Sequence, residues 1–115
     1  MPVAVRHLAL DLALKAKLFR GFADPSRLSI LEALRDAPRC VSDIAARTGL
    51  SQPNTSMHLA CLEDCGLVMR QRRGQFVEYA IANGLVLDLL RQSERLLEHV
   101  GEQIFRCTRY RGRPR

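Results

Sequence analysis

Four cysteines, Cys40, Cys61, Cys65 and Cys107, stand out in this 115-residue sequence as side chains able to do chemistry. Thiolates are nucleophiles and soft metal ligands. Cys61 and Cys65 lie four residues apart, so on a helix they share one face with about 6 Å between them. His58 extends that face in an i, i+3, i+7 series and is a candidate further donor. Taken singly, each cysteine would pack as a small apolar residue, and Cys40 reads that way. The pair is what points to chemistry. The N-terminal stretch has charges among its apolar residues and does not follow the plan of a signal peptide. A disulfide framework is therefore not expected, and metal or redox chemistry is the default. A disulfide between Cys61 and Cys65 would need their β-carbons at about 4 Å, a poor fit to a regular helix.

A second set of residues suits nucleic acid. Ser51, Gln52, Asn54, Thr55 and Met57 fall at the start of the helix that ends near Cys65, and Gln and Asn can pair bidentately with adenine. Arg72, Arg73 and Gln75, with Arg70 close by, suit phosphate or minor-groove contacts. The charge balance agrees: 18 Lys and Arg against 12 Asp and Glu give a net charge of +6. Residues 106–115 hold five arginines and no acid. Two basic patches on an otherwise near-neutral chain point to a polyanionic partner, against the plainer reading of a solvated tail.

These residues need elements to position them. Leu8, Leu12, Ala16 and Phe19 recur at helical spacing and predict a first helix over about residues 3–22. Asp24-Pro25 opens a second, with Leu28, Leu31 and Leu34 on one face, stopping near Pro38. Ser42 reads as the cap of a short helix containing Ile44, Ala45 and Ala46, and Thr48-Gly49-Leu50 as a turn. Ser51 caps the next helix, with Pro53 in its first turn, and that helix runs through Leu59 and Leu62 to Cys65 before Gly66 breaks it. Helix, glycine-containing turn, helix is the helix-turn-helix pattern. Residues 67–72 and 76–81 then read as strands joined around Arg73-Gly74, forming a wing. A last helix over residues 84–105 carries Leu85, Leu89, Leu96 and Val100.

The expected fold class is mostly α with a β-hairpin wing, a winged helix-turn-helix over residues 1–105 followed by a basic tail at 106–115. The first and last helices carry more apolar surface than a chain of this size covers alone. A homodimer through them is expected, which would bring two recognition helices to two half-sites. No apolar run approaches the roughly 20 residues of a membrane helix, so a cytoplasmic protein without a membrane partner is expected.

The stretches LFRGFADPSRLSILEAL, VSDIAARTGLSQPNTSMHLACLEDCGLV and RRGQFVEYAI resemble the ArsR/SmtB family of metal-responsive repressors over about residues 18–82. ADPSR opens a helix, S-x-H-L-x-x-L-x-x-x-G-L-V closes the recognition helix, and a basic wing follows. Within that opening Arg27 reads as structural. The resemblance implies a dimeric repressor of metal-resistance or transport genes that leaves operator DNA on binding metal. The C-x3-C of Cys61 and Cys65 resembles the cadmium/lead-sensing subgroup, which implies Cys107 as a third ligand. Other metal sites of the family match less well. Cys40 aligns with the first cysteine of a C-x-C site whose second position is here Ser42. On the last helix Asp88 is followed by Leu90 where a histidine is expected, and His99 and Glu102 are out of register.

Three thiolates would suit Cd(II) or Pb(II) as effector, then Hg(II) or As(III). Zn(II) suits them less, because structural zinc takes four ligands. Alternatives are a redox-responsive or arsenite-responsive repressor on the same fold, and a basic protein-interaction module. No enzyme is expected, since the sequence offers no phosphate loop, paired-carboxylate site or Cys–His nucleophile.

Overall fold

A computed structural model of the chain describes residues 11–109; Leu8 and the arginines at 111, 113 and 115 lie outside the described residues. Helix α1 (Leu12–Ala23) starts where the Asp11 carboxylate accepts the amides of Ala13 and Leu14 at 2.7 and 3.3 Å. It runs on through Gly21 to Ala23, one residue beyond the expected end. Asp24 is then both the C-cap of α1 and the N-cap of α2 (Pro25–Ala33), accepting the Ser26 amide at 3.1 Å. Helix α2 ends well before Pro38. Arg39 folds back and its Nε donates to the Ala33 carbonyl at 2.8 Å, occupying an acceptor that a further turn would have used.

The short helix α3 (Val41–Thr48) is entered at Cys40, its N-cap residue, so the expected cap Ser42 lies inside its first turn. Gly49 follows with φ 78°, a left-handed conformation that any β-carbon would strain. This turn aims α4 (Gln52–Asp64), which is capped by Ser51 through a 3.2 Å hydrogen bond from the Asn54 amide. Strands β1 (Val68–Arg73) and β2 (Phe76–Ile81) form an antiparallel hairpin with Val68 opposite Ile81 and Arg73 opposite Phe76. Arg39 and Tyr79 exchange backbone hydrogen bonds of 2.9 and 2.8 Å, which pin this wing to the segment entering α3. The order of elements is that of a winged helix-turn-helix.

The residues up to Ala82 form one compact unit and those from Asn83 a second. In the first, α4 packs on α2 and α3. Its core holds Ile30, Leu31 and Leu34 from the α2 segment, Ile44 and Ala45 from α3, Leu59 and Leu62 from α4, and Val68 from β1. Leu28 was expected in this core but is partly exposed, and Ile30 is buried instead. Ala46 is exposed as well. The second unit is helix α5 (Gly84–Arg106), whose first turn is capped by the Asn83 side chain at 2.8 Å from the Leu85 amide. Val86 and Leu90 are buried, while Leu85, Leu96, Leu97, Ile104 and Phe105 are exposed. Among the described residues no helix is long and apolar enough to cross a membrane.

Because Leu59 is fully buried at the centre of α4, Leu59→Ala is expected to lower the unfolding free energy by about 2–5 kcal/mol. Urea denaturation followed by circular dichroism measures it, and a loss under about 1 kcal/mol would contradict this placement of α4.

Candidate functional site

Helix α4 has one buried face and one open one. Thr55, Leu59 and Leu62 point inward, and the 3.6-residue period therefore turns Met57 to the opposite side and Ser56 to the flank, while Gln52 is exposed as the first residue of the helix. Gln52, Asn54 and Met57 are exposed at the N-terminal end, as a base-reading helix requires. Ser51 is exposed too, although its hydroxyl accepts the Asn54 amide as a cap. Thr55 departs from the expectation: it is fully buried and its hydroxyl donates to the Ser51 carbonyl at 2.8 Å, so it cannot reach a base edge. Ser56 is exposed one turn after Gln52 and was not singled out from the sequence. The inward series 55, 59, 62 was the signal that could have found it.

On the wing, strand alternation places Arg70 and Arg72 on one face of the hairpin and Arg73 on the other. Arg70 reaches Glu63 of α4 at 3.6 Å and Arg73 reaches Glu78 at 4.0 Å, whereas Arg72 has no ion-pair partner among the described residues. Gln75 is exposed at the tip beside Gly74. The arginine cluster of the sequence is thus divided by the pleat, and Arg72 is the member left free for phosphate.

At the other end of α4, Cys61 and Cys65 are exposed, free thiols on one face, with Cys65 as the C-cap residue. Desolvation first, and the neighbouring Cys61 second, push the Cys65 thiol above its ordinary range, while the charges of Lys17 and Arg27 pull the other way. The Arg27 guanidinium lies 3.9 Å from the Cys61 sulfur. It also donates to the Gly21 carbonyl at 3.2 Å and pairs with Asp24 at 3.5 Å. One side chain thereby ties the thiols to the end of α1 and the cap of α2.

The donor chemistry of the pair fits a soft metal ion: two adjacent sulfurs at the surface, with cations near them that would offset thiolate charge. The fit is incomplete. His58 turns its Nδ1 toward Asp24 at 3.9 Å. Among the described residues no three His, Cys, Asp or Glu side chains gather closely enough to hold a metal, so His58 does not complete the pair. Cys107 is half-buried at the C-cap of α5 in the second unit. Cys40 is half-buried at the entry to α3, its sulfur 3.2 Å from the Ser42 hydroxyl. That hydroxyl, followed by the Asp43 and Ser42 amides, holds the Cys40 thiol below its ordinary range.

Comparison with known proteins gives the family and the fold. Residues 24–70 match the family described as bacterial regulatory protein, arsR family. A probable mercury resistance operon repressor from Streptomyces lividans is 35% identical over 97 residues, covering 84% of this chain and 78% of that protein. The solution structure of the cadmium metal-sensor CMTR from Mycobacterium tuberculosis is 41% identical with a TM-score of 0.59, covering 74% of this chain and 85% of that one. The homodimeric winged helix-turn-helix DNA-binding domain Mb0332 from Mycobacterium bovis is 33% identical with a TM-score of 0.65, covering 82% and 91%. The named relatives are regulators, not enzymes.

The opposite shifts of Cys40 and Cys65 have a measurable consequence. A lowered pKa leaves more thiolate at neutral pH, so Cys40 is expected to alkylate ahead of Cys65 in the metal-free, reduced protein. Iodoacetamide labelling at about pH 7, read by peptide mass spectrometry, should show that order, with the gap closing as alkaline pH ionises both. Equal rates at neutral pH would contradict the thiol environments described.

Proposed function

This chain belongs to the arsR family of bacterial regulatory proteins, and from that premise we propose that it is a homodimeric transcriptional repressor that leaves its operator when Cys61, Cys65 and Cys107 take up a thiophilic metal ion. Cd(II) or Pb(II) is the effector favoured by three sulfur donors, with Hg(II) next, given the mercury-operon relative. The observation that carries the reading is the position of the thiol pair: Cys61 and Cys65 stand on the helix whose other end presents Gln52, Asn54 and Met57. Cys107 is the third donor implied by the resemblance to the cadmium/lead-sensing subgroup.

The residues divide the work along the chain. Ser51, Gln52, Asn54 and Met57 approach base edges, with Ser56 added and Thr55 withdrawn for its burial. Arg72, Arg73 and Gln75 hold phosphate or the minor groove. The dimer is supported by unpartnered apolar side chains on both outer helices, Leu12 and Phe19 on α1 and Leu85, Leu96 and Phe105 on α5, and by the homodimeric relative. Cys61 and Cys65 supply two soft donors at one end of α4, and a tie from them to the end of α5 would fix that helix in a geometry unsuited to two half-sites. A coupling of about 1.4–4 kcal/mol lowers operator affinity roughly ten- to thousandfold. A switch through a Cys61–Cys65 disulfide is disfavoured. The Cys65 amide bonds to the Cys61 carbonyl at 3.0 Å, so the two are held at helical spacing.

Cys61→Ser and Cys65→Ser are each expected to leave a folded, operator-binding dimer that no longer releases DNA with Cd(II) or Pb(II), because serine keeps the size and loses the soft donor. Cys107→Ser weakens release, and Cys40→Ser behaves as wild type. Fluorescence anisotropy of labelled operator during a Cd(II) titration reads all four. Normal release by the Cys61 and Cys65 variants together with loss in Cys40→Ser would move the site to the entry of α3.

For the wing, each arginine that contacts a phosphate contributes about 0.9 to the slope of log affinity against log salt. Arg72→Ala is expected to flatten that slope by about this amount, and Arg73→Ala by less, because Arg73 faces Glu78. Unchanged slopes in both variants would remove the wing from the interface.

A further inference from the structure

Beside the two thiols the surface is cut by a cavity of about 230 Å³ lined by Lys17, Arg20 and Arg27 together with Cys61 and Cys65. It adjoins a larger, mainly apolar opening of about 550 Å³, with which it shares Lys17 and Cys65. Arg27 is partly compensated by Asp24. Lys17 and Arg20 are exposed and have no ion-pair partner among the described residues. No acid lines the smaller cavity, and Asp64 is the one acid on the wall of the larger.

This surround is unfavourable for a bare divalent cation. Three positive side chains at the mouth repel it, and the thiols must also lose their protons. In a medium rich in thiols, soft metal ions travel as bis-thiolate complexes whose net charge is set by the carrier. Carriers that bear carboxylates make the whole complex anionic, and a cationic cavity concentrates such a species and speeds its arrival.

We infer that this cavity receives the metal as an anionic complex with small carboxylate-bearing thiolates, whose carboxylates rest on Lys17 and Arg20 while Cys61 and Cys65 take over the ion. The inference rests on the proposed role of those two cysteines as metal ligands. In each exchange one metal–sulfur bond forms to a cysteine and one breaks to a carrier. The cysteine proton leaves with the departing thiolate, so two carrier thiols are released per ion and nothing is oxidised or reduced. Arg27, 3.9 Å from the Cys61 sulfur, places positive charge against the thiolate that forms there.

The test compares three preformed Hg(II) bis-thiolate complexes, with mercaptoacetate (anionic), mercaptoethanol (neutral) and cysteamine (cationic). Transfer to the full-length, reduced protein is followed by rapid quenching with iodoacetamide and counting of protected cysteines by mass spectrometry. Each rate is taken as the ratio of wild type to a Lys17→Gln, Arg20→Gln variant, which cancels the different leaving abilities of the carriers. The expected ratio is about ten for mercaptoacetate, near one for mercaptoethanol and below one for cysteamine. In wild type alone, added salt should slow the first and speed the third, a measurement that does not depend on how the variant folds. The same ratio for all three carriers, or no opposite salt effects, would overturn the inference. Protection appearing at Cys40 instead of Cys61 and Cys65 would instead overturn the reading of the thiol pair on which it rests.

Discussion

The burial of one face of α4 is the constraint on which the rest of the first unit depends. Thr55, Leu59 and Leu62 are locked against α2 and α3, and a helix with three such anchors cannot rotate about its axis without exposing them. At about 100° per residue, that fixes the outward direction of every other position. The exposure of Asn54 and Met57 near one end and of the two thiols near the other both follow from this one packing decision. Turn geometry serves it as well: Gly49 in the left-handed region sets the angle at which α4 leaves α3.

Length along the same helix then separates the two jobs. From Gln52 to Cys61 the axis advances about 14 Å, and to Cys65 about 20 Å. Both distances exceed the screening length of about 8 Å at physiological salt. A change of charge at the thiols is therefore largely screened from the N-terminal end of α4. Whatever couples the two ends of α4 acts through how the helix is held, not through a field along it. The contacts that hold it lie close to the thiols. Arg27 reaches the Cys61 sulfur, the Gly21 carbonyl and Asp24, and Asp24 in turn caps α2 and faces His58. The ADPSR segment is thus a junction of α1, α2 and α4, and an altered charge state at Cys61 would be felt there first.

Arg39 plays the corresponding part for the wing. Its guanidinium is largely buried between Asp36, Asp43 and the Ala33 carbonyl, and its backbone pairs with Tyr79. The guanidinium holds both carboxyls below their ordinary range. The hairpin is therefore attached to the helix-turn-helix by an arginine whose charge is already compensated by two carboxylates.

Much of this was legible in the sequence because local rules decide it. Asp24-Pro25, Gly49, Ser51 and Gly66 are residues whose own backbone and hydrogen-bonding preferences start or stop helices, and they do so here. The C-x3-C spacing fixes a shared face by helical period alone. What the sequence could not decide depends on neighbours distant along the chain. Thr55 looked like a polar reader, but whether a threonine faces solvent or core depends on what packs against its helix, and its hydroxyl found a local carbonyl that made burial cheap. Leu28 and Ile30 lie two residues apart on α2, and only the packing of the neighbouring helices against α2 selected Ile30. Strand alternation alone divides the three neighbouring arginines of β1 between two faces, but which of them meets a carboxylate, Glu63 for Arg70 and Glu78 for Arg73, depended on the packed molecule. The cationic wall beside the thiols brings Lys17 and Arg20 of α1 to the far end of α4, and no spacing rule reports that meeting. Period and capping are properties of a few consecutive residues, whereas burial, register and electrostatic surroundings belong to the packed molecule.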